Sequence, residues 1–150
     1  MSMVRVGILG ATGYTGLELT RLLLSHPQVK LSALFVRQSV SQSVKSLYPH
    51  LDTDLVYDSF EESKLNDLDV LFLALPHGES HKVVKSVFRP GLKIIDLSAD
   101  FRLKDANLYN TTYEQDHHCP NLLAESVYGL PEIFGDSLKK SVFCASPGCY

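Results

Sequence analysis

The chain has 150 residues, 45% hydrophobic and 21% charged, with a net charge of −3 and a pI near 6.0. That is enough for one domain with a real core, in the balance of an ordinary soluble globular protein. The mildly acidic charge argues against a nucleic-acid or membrane partner, and no apolar run reaches the about 18 residues of a transmembrane helix.

Met1-Ser2-Met3-Val4-Arg5 runs straight into an apolar stretch, without a signal-peptide pattern. Cys119, Cys144 and Cys149 are odd in number and lack framework spacing, as suits a reducing, cytoplasmic setting. Val4–Leu9 alternates and then turns apolar, which predicts a central strand. Gly10-Ala11-Thr12-Gly13-Tyr14-Thr15-Gly16 follows. Leucines at helical spacing predict a helix over 17–24, ending before His26-Pro27. Val29–Val36 reads as a second strand, completing a βαβ unit.

The glycines allow a tight turn and bring backbone N–H groups close to a diphosphate. Their spacing is a G-x-x-G-x-x-G variant of the usual dinucleotide fingerprint, which places Gly10, Thr12, Gly13, Tyr14, Thr15 and Gly16 against a cofactor. A packing turn that binds nothing is the competing reading. An acidic residue after the second strand would bond the ribose 2′-hydroxyl of NAD. Arg37-Gln38-Ser39 stands there instead, with no carboxylate until Asp52. A guanidinium and a hydroxyl suit a 2′-phosphate, so Arg37 and Ser39 point to NADP. A solvated surface arginine is the alternative.

Residues 40–53 read as irregular, with a short helix at Val44–Leu47, then a short strand at 54–57 and a helical turn at 60–65. Asp69–Leu75, strongly apolar from Val70 on, predicts a parallel strand buried on both faces. It ends in Pro76-His77-Gly78, where doubly wound folds bind ligands. Pro76 and His77 are therefore expected to line the cofactor, with a capping or supporting role for His77 as the alternative. A helix is predicted over 79–88 and a strand over 92–97. Asp100 and Arg102 follow that strand, as an ion pair or with Arg102 meeting an anionic substrate. Residues 105–116 predict a helix and loop. His117-His118-Cys119 has no second ligand cluster, so no metal site is expected. Residues 127–132 read as a turn-rich crossing segment, and 136–140 as a lead into a last strand starting at Val142. The fold class expected is α/β, doubly wound, with a mainly parallel sheet of Rossmann type.

That last strand runs into Ser146-Pro147-Gly148-Cys149-Tyr150. A cysteine after a strand and a Pro-Gly turn is presented at a tip, and a helix starting there would favour its thiolate. A structural cysteine is the other reading. A site of this kind that stops one residue after its cysteine is read as part of a longer protein.

Gly10–Gly16, Leu75-Pro76-His77-Gly78-Glu79-Ser80, Asp96-Leu97-Ser98-Ala99-Asp100-Phe101-Arg102, Tyr128-Gly129-Leu130-Pro131-Glu132 and Ser146–Tyr150 occur in this order in one family. The chain resembles the amino-terminal part of the N-acetyl-gamma-glutamyl-phosphate reductases of arginine biosynthesis, over essentially its whole length. It departs in having Ser146 where that family commonly has Asn, and in the Ser/Gln/Val stretch after Arg37. The resemblance implies an enzyme that reduces an acyl phosphate to an aldehyde with NADPH, with Cys149 as the catalytic nucleophile. It implies an NADP-binding domain over 1–150, and a histidine acid/base and a substrate and dimerisation domain beyond residue 150. This chain alone would then be inactive. A small-molecule substrate and a homo-oligomer follow from the same resemblance. The related reductases of the lysine and aspartate pathways share the chemistry, and a non-catalytic NADP-binding regulator is the reading from another class.

Overall fold

The structure, a computed structural model, describes residues 2–37 and 41–148. The chain divides into two compact units, Met1–Ala74 and Leu75–Tyr150.

In the first unit β1 (Val4–Leu9) pairs in parallel with β2 (Val29–Val36) on one side and β5 (Val70–Leu73) on the other. β4 (Val56–Ser59) extends the sheet beyond β2 in parallel. The two-residue β3 (Gln42–Ser43) closes that edge antiparallel to β4. The chain thus winds outward from β1 to β4 and then returns to the far side of β1, the reversal that defines a doubly wound fold. Arg5 fixes the amino ends. Its Nε and Nη2 fork onto Asp69 at 3.2 and 3.1 Å, and its own amide donates to the same carboxylate at 2.8 Å.

Helix α1 (Tyr14–Leu24) crosses between β1 and β2. It starts three residues earlier than the leucine spacing predicts, because Gly13 serves as its N-cap. Leu17, Leu19, Leu23 and Leu24 pack against a core of Val6, Ile8, Leu31, Leu34, Val36 and Tyr57. β5 corrects the expectation of burial on both faces: Leu71 and Leu73 are buried, whereas Val70 and Phe72 are only half-buried. The short helix α2 (Val44–Leu47) forms as expected, anchored by buried Val44. A 3-10 turn occupies Glu62–Leu65.

In the second unit β8 (Phe143–Ala145) lies parallel between β6 (Lys93–Asp96) and β7 (Val127–Tyr128). Phe101 and Phe143 stack at 4.5 Å in its core, with Val84, Val87 and Ile94 buried nearby in the same unit. Helix α3 (Ser80–Val87) follows the Pro-His-Gly turn. Helix α4 (Ala106–Tyr113) is capped by Asp105, which accepts from the Leu108 amide at 2.7 Å. Helix α5 (Pro131–Lys140) corrects the reading of 127–132 as a crossing segment and 136–140 as a lead-in. Its pattern is weak because none of its residues is buried and Phe134 departs from helical φ/ψ.

Candidate active site

The glycine-rich turn takes its shape from three backbone constraints. Gly10 has φ +87°, open to glycine and strained for other residues. Its amide and that of Ala11 both donate to the Phe35 carbonyl, at 3.0 and 3.2 Å, which ties the turn to the end of β2. A Cβ on Gly16 would lie 2.3 Å from the Gly10 oxygen and 2.7 Å from the Ala11 Cα, so only glycine lets α1 start this close to the turn.

The first helical bond is Leu17 N–H to the Gly13 carbonyl, at 2.8 Å. The amides of Tyr14, Thr15 and Gly16 have no partner among the described residues, and no side chain caps the helix. Thr12, Gly13, Tyr14 and Thr15 are exposed, and Tyr14 is 97% accessible. Unpaired amides on an open helix N-terminus, behind glycines that leave room, fit the diphosphate of a dinucleotide. Arg37 is exposed immediately after β2. Ser39 lies outside the described residues.

The second unit holds a polar network around Asp100. This carboxylate is fully buried. Its Oδ1 accepts from the Gly78 amide at 2.8 Å and the Tyr109 hydroxyl at 3.1 Å, and its Oδ2 from the His81 amide at 3.1 Å. His77 Nδ1 lies 2.8 Å from Oδ1. One carboxylate therefore fixes the turn before α3, the first turn of α3 and, through Tyr109, helix α4. Gly78 has φ +81°, and a Cβ there would meet the Gln115 amide group at 2.6 Å. Pro76 and His77 are exposed in this turn.

Asp100 and Arg102 do not pair with each other. Arg102 Nε donates to the Ser146 carbonyl at 2.8 Å, and its Nη2 to the Leu97 and Pro147 carbonyls at 3.2 and 3.4 Å. The guanidinium thus clamps the start of the turn that leads to Cys149. Its Nη1 has no partner among the described residues. The Ser146 amide returns a bond to the Asp96 carbonyl at 2.8 Å, and Gly129 approaches so closely that a Cβ would stand 2.8 Å from Cys144 Sγ. Cys149 itself lies outside the described residues.

His81, His117 and Cys119 are committed to backbone partners. His81 directs Nε2 to the Gly78 carbonyl at 2.9 Å and accepts the His118 amide on Nδ1 at 3.1 Å. His117 directs Nε2 to the Asp100 carbonyl at 3.0 Å and accepts the Cys119 amide on Nδ1 at 3.3 Å. Burial pushes both imidazoles down from their ordinary value. Cys119 is buried, its thiol donating to the His81 carbonyl at 3.1 Å. Burial pushes its pKa up to about 11. Cys144, half-buried, is also raised, by burial and then by Asp96. Asp96 is pushed up by burial, although the Ser98 amide and hydroxyl donate to it at 3.1 and 2.8 Å.

Sequence reasoning missed Asp100 as the centre of this network, and Tyr109 and His81 as its supports. An acid inside the otherwise uncharged run Leu97-Ser98-Ala99-Asp100-Phe101 was the available signal.

Comparison with known proteins agrees with this geometry. The family model described as "Semialdehyde dehydrogenase, NAD binding domain" matches residues 5–141. A protein of Halothermothrix orenii named N-acetyl-gamma-glutamyl-phosphate reductase is 46% identical over 151 residues, covering 99% of this chain and 44% of that protein. One of the same name from Ehrlichia canis is 47% identical over 150 residues, covering 98% and 43%. The chain thus spans less than half the length of these relatives. Among solved structures, aspartate semialdehyde dehydrogenase II of Vibrio cholerae complexed with ASA superposes with a TM-score of 0.67 at 16% identity, over 99% of this chain and 42% of that one. Aspartate semialdehyde dehydrogenase of Candida albicans with NADP gives 0.66 at 19% identity, over 97% and 42%. At those identities the likeness is one of fold. With the family model covering both units, the chain belongs to the semialdehyde dehydrogenase family, as its NAD binding domain.

Proposed function

We propose that this chain is the NADP-binding portion of an enzyme that reduces N-acetyl-gamma-glutamyl phosphate to N-acetyl-glutamate semialdehyde, releasing phosphate, in arginine biosynthesis. The observation that carries this reading is the 46% identity, along 99% of the chain, to a protein of that name. The unpaired amides of Tyr14, Thr15 and Gly16 receive the dinucleotide diphosphate, with Gly10, Thr12 and Gly13 shaping the turn. Arg37 and Ser39 favour NADP over NAD, Arg37 by pairing with the 2′-phosphate. In the second unit, Pro76 and His77 are the residues read as cofactor-lining.

Cys149 is the nucleophile. Its thiolate attacks the acyl carbon, the bond to the phosphate oxygen breaks, and a thioester remains on the sulfur. A dinucleotide held by the glycine-rich turn would supply the hydride that this reduction needs. The carbon–sulfur bond then breaks, which frees the aldehyde and restores the thiolate. Arg102 holds the backbone before Cys149 through the Ser146 and Pro147 carbonyls, and in this reading its Nη1 meets a substrate oxyanion. The substrate-binding and oligomer-forming domain and the acid/base belong to the chain beyond residue 150, so the 150-residue chain binds cofactor without turnover. A small acyl phosphate as substrate, a homo-oligomer and a cytoplasmic location belong to the same reading.

The test is turnover by the full-length protein, read as loss of NADPH absorbance. N-acetylglutamyl phosphate is compared with the aspartyl and N-acetylaminoadipyl phosphates. A preference of at least about tenfold in kcat/KM, ~1.4 kcal/mol, is expected for the glutamyl substrate. A preference for either of the others moves the enzyme to another pathway, and no turnover with any of the three makes it a cofactor-binding regulator.

A further inference from the structure

We propose that His77 and Asp100 form a binding site for a phosphoryl oxyanion, with His77 Nε2 as the contacting atom and Asp100 as the residue that positions the ring. The source of that anion rests on the reductase reading; the site itself does not.

His77 differs from the two buried imidazoles beside it in one respect. The rings of His81 and His117 have both nitrogens engaged with backbone groups. His77 spends only Nδ1, on Asp100 at 2.8 Å. Its ring is tilted against Tyr113, centroids 4.3 Å apart, and Tyr109 lies at 5.9 Å. Its Nε2 has no partner among the described residues, and 37% of its side chain is accessible. Asp100 in turn is fully buried and held by three further donors. The ring is therefore fixed by a carboxylate that is itself fixed, with one nitrogen facing outward. A group that only filled space would not need that support; a preorganised donor does.

The chemistry favours an anion. Protonated at Nε2, the ring becomes a cation between Asp100 on one edge and its ligand on the other, and a charge-assisted bond to a phosphoryl oxygen results. Arg102, two residues beyond Asp100 in the same turn, keeps Nη1 unpartnered among the described residues. The titratable groups around the ring are Asp100 from the turn after β6, Glu79, His81 and Lys82 from the start of α3, Tyr109 and Tyr113 from α4, and His117 and His118 after it. Lys82 is paired with Glu79 at 3.0 Å, and His81 and His117 are held toward the neutral form by burial. His77 is thus the imidazole that is held by Asp100 and keeps Nε2 open to a ligand. Either the acyl phosphate or the dinucleotide offers such an oxygen.

The test uses the intact protein with isotope-labelled histidines, followed by NMR. Sulfate is the probe, because it carries a fixed charge between about pH 6 and about pH 8, the range in which imidazole titrates. Saturable movement of the His77 resonance is expected, with affinity about tenfold higher at the lower pH. His77→Gln, with an unchanged Tm, is expected to lose that pH dependence, and Asp100→Asn to weaken the sulfate-induced movement of the His77 resonance. Displacement by NADP+ assigns the site to the dinucleotide. Displacement by acetonylphosphonate, an unreactive acyl-phosphate mimic, assigns it to the substrate. A His77 resonance indifferent to sulfate, a pH dependence that survives in His77→Gln, or sulfate displaced by neither competitor would overturn the proposal. No turnover is read, so failure here leaves the reductase reading standing, and absence of turnover leaves this site standing.

Discussion

Gly16 and Gly135 both sit in helices, and their surroundings set opposite expectations. A Cβ at Gly16 meets the Gly10 carbonyl and the Ala11 backbone, neither of which can move without opening the cofactor turn. Gly16→Ala is expected to destabilise by about 1–3 kcal/mol and to weaken dinucleotide binding. A Cβ at Gly135 meets nothing within 4 Å, so Gly135→Ala is expected to stabilise by about 0.5–1 kcal/mol. Denaturant unfolding of the two variants checks both signs. Arg37→Ala is expected to weaken NADPH binding by about 1–3 kcal/mol and leave NADH nearly unchanged; equal losses would show that Arg37 does not read the 2′-phosphate. Among the cysteines, Cys119, buried and with its pKa near 11, is expected to resist iodoacetamide at neutral pH, while Cys149 of the full-length protein reacts first. Peptide mass mapping after brief alkylation reads that order. The glycines were legible in sequence because spacing and turn chemistry are local. Asp100 was not, since its partners at positions 77, 78 and 81 meet it only once α3 is packed.

At the scale of elements, α3, α4 and the segment after α4 share the buried imidazoles of His81 and His117. Both are held below their ordinary value near 6.5 by burial. The unfolded chain therefore binds more protons than the native one below about pH 6.5, and stability falls as pH falls through that value. Asp96, raised by burial, works in the opposite sense, and its contribution is lost as pH rises through its raised value. Unfolding midpoints from about pH 8 to about pH 5 are expected to decline, with a shallower slope in His117→Gln. A flat profile would mean that these rings are not buried as neutral groups. Strands and helices with strong periodicity, β1, α1, β2, α3 and β6, were legible from the chain. β3 was not, being two residues whose strand character comes only from pairing with β4. Nor was α5, which carries Gly135 and buries no face, so no apolar stripe marks it.

For the molecule as a whole, the doubly wound order follows from β1 lying between β2 and β5, an arrangement no local pattern encodes. What the sequence did carry is the repeated rule of the fold: apolar parallel strand, then a turn with chemistry in it. The glycine turn follows β1, Arg37 follows β2, His77 follows β5, Asp100 and Arg102 follow β6, and Cys149 follows β8. The proposed reduction requires Cys149 to carry the acyl group. Intact-protein mass spectrometry of the full-length enzyme, mixed with N-acetylglutamyl phosphate in the absence of NADPH, tests it directly. One acyl group is expected on Cys149 with release of an equal amount of phosphate, discharged when NADPH is added and absent in Cys149→Ser, which should still bind NADPH. An acyl group on another residue, or near-normal turnover by Cys149→Ser, would contradict it.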